Sequence, residues 1–348
     1  MDKVMKDILA KNKTLNLTPE CKIQEWSKII FEILKSGRHV CLVGDTETTG
    51  KYPYGNKNDR DIKDRLLEVG FIAYHYEPSK GIKEPIKDSD GNIIFLHEYV
   101  NPFREDPTIL SKYNSIRNIP METVYIHGIT EDFLNCKSGL YDSNMNKTNY
   151  SLSRPAPTFS VVKGYIEELL SLRMFDQFVG RIFFCAHNAS FDMGFMDAEW
   201  GKTELFDEEH MAISTFESHV AVLCTLELSK QIYPSRDLLS KLIKPERQQA
   251  IDKANEESTQ RLFALRNRGF KDYFAKPIKS GNSLEFLRYY YGLHEMERDM
   301  HGALIDSVVL AAVYNAMLND PMYIKLISKD SDYEFAESRL DTSSVKVL

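Results

Sequence analysis

Val40-Cys41-Leu42-Val43-Gly44-Asp45-Thr46-Glu47-Thr48-Thr49-Gly50 decides how this chain is read. The apolar run Val40–Val43 is short, β-branched and bounded by turn formers, which predicts a buried strand. Asp45 and Glu47 stand two residues apart at its end, and residues i and i+2 of a strand share a face. Two carboxylates therefore project together from a core element. Like charges held that close raise one another's pKa unless a cation lies between them. A hard divalent ion such as Mg²⁺ is the natural partner for oxygen ligands. Thr48-Thr49-Gly50 then turns the chain beside the pair.

Working outward, Thr18-Pro19-Glu20 predicts a helix start, with Thr18 as N-cap and Pro19 at the first position. Ile23, Trp26, Ile29, Ile30, Ile33 and Leu34 follow at helical spacing, and Gly37 ends the helix. Residues 51–65 are polar and predict a loop beside the acidic pair. Leu66–Tyr76 and Asn92–Val100 predict second and third strands, antiparallel to their neighbours because the connections are short. Residues 137–158 predict an irregular connection. A helix is expected from Thr158-Phe159, a strand over Arg181–Ala186, a helix over Ala189–Trp200 and a fifth strand over Val220–Cys224. This alternation predicts a mixed five-stranded sheet flanked by helices, in the α/β class.

Residues 234–280 hold 11 Lys and Arg against 6 Asp and Glu, while the whole chain carries −7. A basic helical insert in an acidic protein suggests either a grip on phosphates or a solvated excursion. Helices are expected over Pro245–Arg268, Ser283–Tyr291 and Ala303–Leu318, and a polar tail closes the chain. The expected organisation is an N-terminal helical extension over 1–38, a main domain over 39–325 containing the insert, and a tail over 326–348.

Five scattered cysteines form no C-x-x-C pair, so neither a disulfide framework nor a zinc site is expected. No apolar run reaches the ~18–20 residues of a membrane span. The first 13 residues lack the apolar stretch of a secretory signal. A cytoplasmic protein without a membrane partner is the expectation.

Two more acidic stretches lie downstream. In His187-Asn188-Ala189-Ser190-Phe191-Asp192 a strand leads into a helix, with Asp192 in the first turn. In His301-Gly302-Ala303-Leu304-Ile305-Asp306 a histidine precedes a helix that carries Asp306. Together with Asp45-Thr46-Glu47-Thr48-Thr49-Gly50, Leu67-Glu68-Val69-Gly70 and His127-Gly128-Ile129-Thr130, this set resembles the DnaQ-like DEDD exonucleases, in the subgroup with a histidine. Within that family it is similar to the proofreading epsilon subunits of bacterial DNA polymerase III. Residues 1–38, 51–65 and 234–280 look like additions to the family core.

The resemblance implies a ribonuclease H-like fold and metal-dependent 3′–5′ hydrolysis of phosphodiester bonds at nucleic-acid 3′ ends. It implies two Mg²⁺ or Mn²⁺ ions held by Asp45, Glu47, Asp192 and Asp306, with His301 as general base. It implies that Thr46, Thr48, Thr49, His127 and Asn188 meet the terminal nucleotide. Single-stranded DNA or frayed 3′ ends are the expected substrate, with RNA trimming as the alternative and a non-catalytic polymerase-associated subunit as a lesser one; a DNA polymerase subunit is a candidate partner in proofreading or repair. Tyr52 and Tyr125 are candidates for base stacking, with ordinary packing as the competing expectation.

Overall fold

The structure, a computed structural model, describes residues 17–55, 63–105, 118–204, 215–270, 273, 277–296 and 301–329. Residues 56–62 of the loop beside the acidic pair, residues 271, 272 and 274–276 of the insert, and the tail from 330 lie outside that set.

Six strands make one mixed sheet. They are β1 (His39–Thr48), β2 (Leu66–Glu77), β3 (Gly81–Pro85), β4 (Phe95–Tyr99), β5 (Ile182–Ala186) and β6 (Ala221–Cys224), in the order β3-β2-β1-β5-β6 with β4 also on β2. The expected five strands become six because Gly81–Pro85 pairs antiparallel with β2 across a short turn. Its few apolar residues and its proline hide it from a hydrophobic pattern, yet both suit a short edge strand. β1 runs antiparallel to β2 and parallel to β5, and β5 runs parallel to β6.

Alternation along β1 splits the core. Val40 and Leu42 point into a cluster with α1 (Glu20–Lys35), where Trp26 and Ile30 are fully enclosed. α4 (Phe159–Leu169) and α5 (Ala189–Glu204) complete that layer. Cys41 and Val43 point the other way, onto α10 (Ala303–Leu318). Eleven of the 16 residues of α10 are buried, so it is covered on nearly every side. The covering comes from α6 (Thr225–Ile232), α7 (Arg236–Leu242), α8 (Pro245–Asn267), α9 (Leu284–Tyr290) and α11 (Pro321–Lys329).

Three further expectations change. Thr18 does not cap α1, which starts at Glu20 with no side-chain cap. Instead Thr18 N donates to the His97 carbonyl at 3.1 Å and Thr18 Oγ1 accepts from His97 N at 2.8 Å, tying the segment to β4. The insert is no separate excursion. Leu239 and Ile251 join the cluster under α10, and Leu265 and Tyr273 pack on Val124 of α2 (Met121–His127), which the short α3 (Glu131–Leu134) follows. Helix α11 also runs to Lys329, past the expected start of the tail at 326.

Candidate metal centre

Both faces of β1 contribute to the site at its C-terminal end. Asp45 pairs with Gly70 and Glu47 with Glu68 across β1 and β2. The register slips just after Glu47. Such bulges re-aim side chains at strand ends. Glu47 is 8% exposed and Asp45 is half-buried.

Helix α10 brings Asp306, 3% exposed, to the same face, one turn in from its start. Ligand atoms of Glu47, His301 and Asp306 all lie within 4.8 Å of one another, a grouping compact enough for one ion. His301 Nδ1 stands 3.2 Å from Asp306 Oδ2, and half of its side-chain surface is exposed. Its backbone N donates to the Ile126 carbonyl at 3.1 Å, which ties the approach to α10 onto α2.

Asp192 arrives from the opposite face of the sheet. Asn188 adopts a left-handed conformation, φ +68°, which asparagine tolerates, and this turns β5 into α5. Asp192 Oδ1 accepts from Thr46 Oγ1 at 2.8 Å. Its Oδ2 is buried and has no hydrogen-bond partner among the described residues. Burial pushes its carboxyl up to about 7, against the hydrogen bond from Thr46. Asp45 and Asp192 are not part of the compact Glu47–His301–Asp306 grouping. These residues fit a hard divalent cation: the donors are mainly carboxylate oxygens, and Asp192 presents a buried oxygen that no described residue satisfies.

The residues expected at the substrate are placed differently from one another. The hydroxyls of all three threonines are used within the protein. Thr46 holds Asp192, Thr48 Oγ1 donates to Gly50 O at 2.6 Å, and Thr49 Oγ1 accepts from Arg65 N at 2.8 Å. His127 is 2% exposed, and its Nδ1 accepts from Ile129 N, which leaves the proton on Nε2. Burial drives its pKa down to about 3, so it stays neutral; the Thr48 backbone opposes the shift and His301 adds to it. Its Nε2 is buried and makes no hydrogen bond of ordinary geometry with the described residues. Asn188 is exposed. Tyr52 is 45% exposed beside the turn, whereas Tyr125 packs edge-on against Phe270 and Tyr273 of the insert.

Sequence reasoning passed over the groups that hold this corner. Arg65, fully buried, donates from Nε to Glu199 Oε1 at 2.7 Å and from Nη2 to Glu199 Oε2 at 2.8 Å, with Glu105 Oε1 at 2.5 Å. That fork fastens the start of β2 to α5, the helix of Asp192. Asp64 accepts from Lys51 N and Tyr52 N and shapes the turn after Gly50. The available signal was a charge inside an apolar run: Arg65 before Leu66-Leu67, and Glu68 after it. No family model matches the chain, and no curated protein matches it.

Proposed function

We propose that this protein is a metal-dependent 3′–5′ exonuclease with a ribonuclease H-like core, acting on DNA 3′ ends in proofreading or repair. The observation that carries this reading is the meeting of Glu47, His301 and Asp306 at the end of β1, with Asp192 held at the same strand end by Thr46. Four carboxylates and one half-exposed histidine at one strand end suit phosphodiester hydrolysis better than they suit any role in folding. Carboxylates gathered this closely repel one another, and a divalent cation between them is the natural counter-charge.

Asp45, Glu47, Asp192 and Asp306 would hold Mg²⁺ or Mn²⁺. Bound ions would supply an activated water and neutralise charge at the scissile phosphate. His301 is the proton acceptor in this scheme. Its ring reaches solvent, and histidine is the side chain most often used as a general base. Asp306 orients the ring through Nδ1. His127, neutral and buried, supports the Thr48 turn rather than moving protons.

The test is nucleotide release from 3′-labelled single-stranded DNA and RNA in Mg²⁺ or Mn²⁺, beside Asp45→Ala and His301→Ala. Metal-dependent release from the DNA 3′ end, abolished by Asp45→Ala and strongly reduced by His301→Ala, is expected. Release from RNA alone would assign the site to RNA trimming, and release from neither would refute the nuclease reading.

A further inference from the structure

Helix α10 carries Asp306, yet its start lacks a cap of its own. The N-cap residue is Gly302, which has no side chain to accept from the first turn. The missing acceptor comes from a different strand. Glu68 Oε1 on β2 accepts from Ala303 N at 3.2 Å, and the same oxygen lies 2.7 Å from His97 Nε2 on β4. Glu68 is 3% exposed and His97 is 4% exposed. One turn further, Ser307 Oγ lies 3.3 Å from the Gly70 carbonyl, a second link between α10 and β2.

Glu68 also stands directly across from Glu47 in the β1–β2 register. A further buried carboxylate beside the acidic grouping would be strongly unfavourable by itself. Here the positive end of the α10 dipole and the His97 ring offset it. The arrangement thus fixes the helix start and adds negative potential where a cation would sit.

We infer that Glu68, braced by His97, is a positioning residue that holds the first turn of α10, and through it His301 and Asp306, against Glu47. This rests on the metal-centre reading above. His97 extends the link outward, because its backbone is bonded to Thr18 ahead of α1. The N-terminal segment therefore bears on the site through three bonded residues.

The experiment compares the full chain with Glu68→Gln, His97→Gln and, as control, Glu98→Gln. Glu98 is also buried on β4 but is not bonded to α10. Mn²⁺ affinity is read by electron paramagnetic resonance, and amide hydrogen exchange is read across residues 301–308. Outer groups that orient metal ligands typically change affinity ~10–100-fold when replaced. Glu68→Gln is expected to weaken Mn²⁺ binding by that factor and to speed exchange over 301–308. His97→Gln should do the same to a lesser degree, and Glu98→Gln should do neither. Unchanged affinity and exchange in Glu68→Gln, or equal losses in Glu98→Gln, would overturn the inference. If the unaltered protein takes up no Mn²⁺, the metal-centre reading falls and exchange alone decides the role of Glu68. Faster exchange in Glu68→Gln alone would then support its hold on α10, and no change would overturn it.

Discussion

Gly70→Ala tests how tightly the site depends on the seat of α10. A Cβ at Gly70 would lie 2.7 Å from Leu304 N and 2.9 Å from the Ala303 carbonyl carbon. Both are backbone atoms, so no rotamer change relieves the clash. Returning the nearest contact from 2.7 Å to about 3.4 Å requires the helix start to retreat by about 0.7 Å. Asp306 moves with it, away from Glu47. Displacements near 1 Å cost ~10²-fold in rate at positioned sites, and overpacking costs ~1–3 kcal/mol of stability. Gly302→Ala is the paired control. Its backbone is extended, φ −163°, and among the described residues an added Cβ meets only Glu68 Oε1 at 3.8 Å. The assay is the initial rate of nucleotide release at saturating Mn²⁺, with Mn²⁺ affinity and thermal midpoint measured on the same samples. Gly70→Ala should lose about two orders of magnitude in rate, and Gly302→Ala should stay within a few-fold of the unaltered protein. A Gly70→Ala rate near normal would refute the reasoning about the helix seat. A Gly302→Ala loss as deep as that of Gly70→Ala would show instead that freedom at Gly302, a hinge for His301, governs the site.

Removing the cation of a buried ion cluster strands its partners, so Arg65→Met should cost ~3–5 kcal/mol in urea unfolding, and Arg65→Met/Glu199→Met should recover part of that loss. Burial raises the Glu98 carboxyl to about 7 from an ordinary 4.5. The folded state then binds the proton more readily than the unfolded one, so this stability is full below about pH 4.5 and is lost as pH rises toward 7. Glu98→Gln should therefore stabilise the protein at pH 8 by up to about 3 kcal/mol and change little at pH 4, measured by denaturant unfolding at both pH values. Mn²⁺ at 100 times its dissociation constant should stabilise the protein by about 2.7 kcal/mol, an effect lost in Asp306→Asn and seen as a vanished shift in thermal midpoint.

The strand bearing Asp45 and Glu47, and the helix bearing Asp306, were legible because each is a local pattern. Ala303–Leu318 was bounded correctly by its apolar run and preceding glycine. What escaped depends on distant residues. Glu199 reaches Arg65 across 134 positions, Thr46 reaches Asp192 across 146, and Glu68 reaches Ala303 across 235. No periodicity encodes such pairs. Thr18 misled for a related reason: its hydroxyl had a local use as a cap and a tertiary use at His97, and the tertiary use won. The hydroxyls of Thr46, Thr48 and Thr49 are each engaged within the protein, a use that their local sequence does not reveal.

The same competition bears on the basic insert. Within Pro245–Asn267, Arg247, Lys253, Arg261 and Arg266 are balanced by Glu246, Asp252, Glu256 and Glu257, so the long helix carries no net charge. Two of the region's arginines are engaged by the protein itself. Arg247 bonds the Tyr290 carbonyl at the end of α9, and Arg268 donates to Asn144 O at 2.5 Å and to Asn146 Oδ1 at 3.0 Å. One end of α8 is thus fastened to the layer that covers α10. The other end is fastened to the connection behind α2, where Phe270 and Tyr273 meet Tyr125. Helix α2 in turn receives the backbone of His301 at Ile126 and places His127 under the Thr48 turn. A segment whose sequence suggested either a grip on phosphates or a solvated excursion is fastened to the protein at both ends of its long helix. It spans the two elements whose separation sets where His301 stands, and its charge excess lies in the flanks of α8.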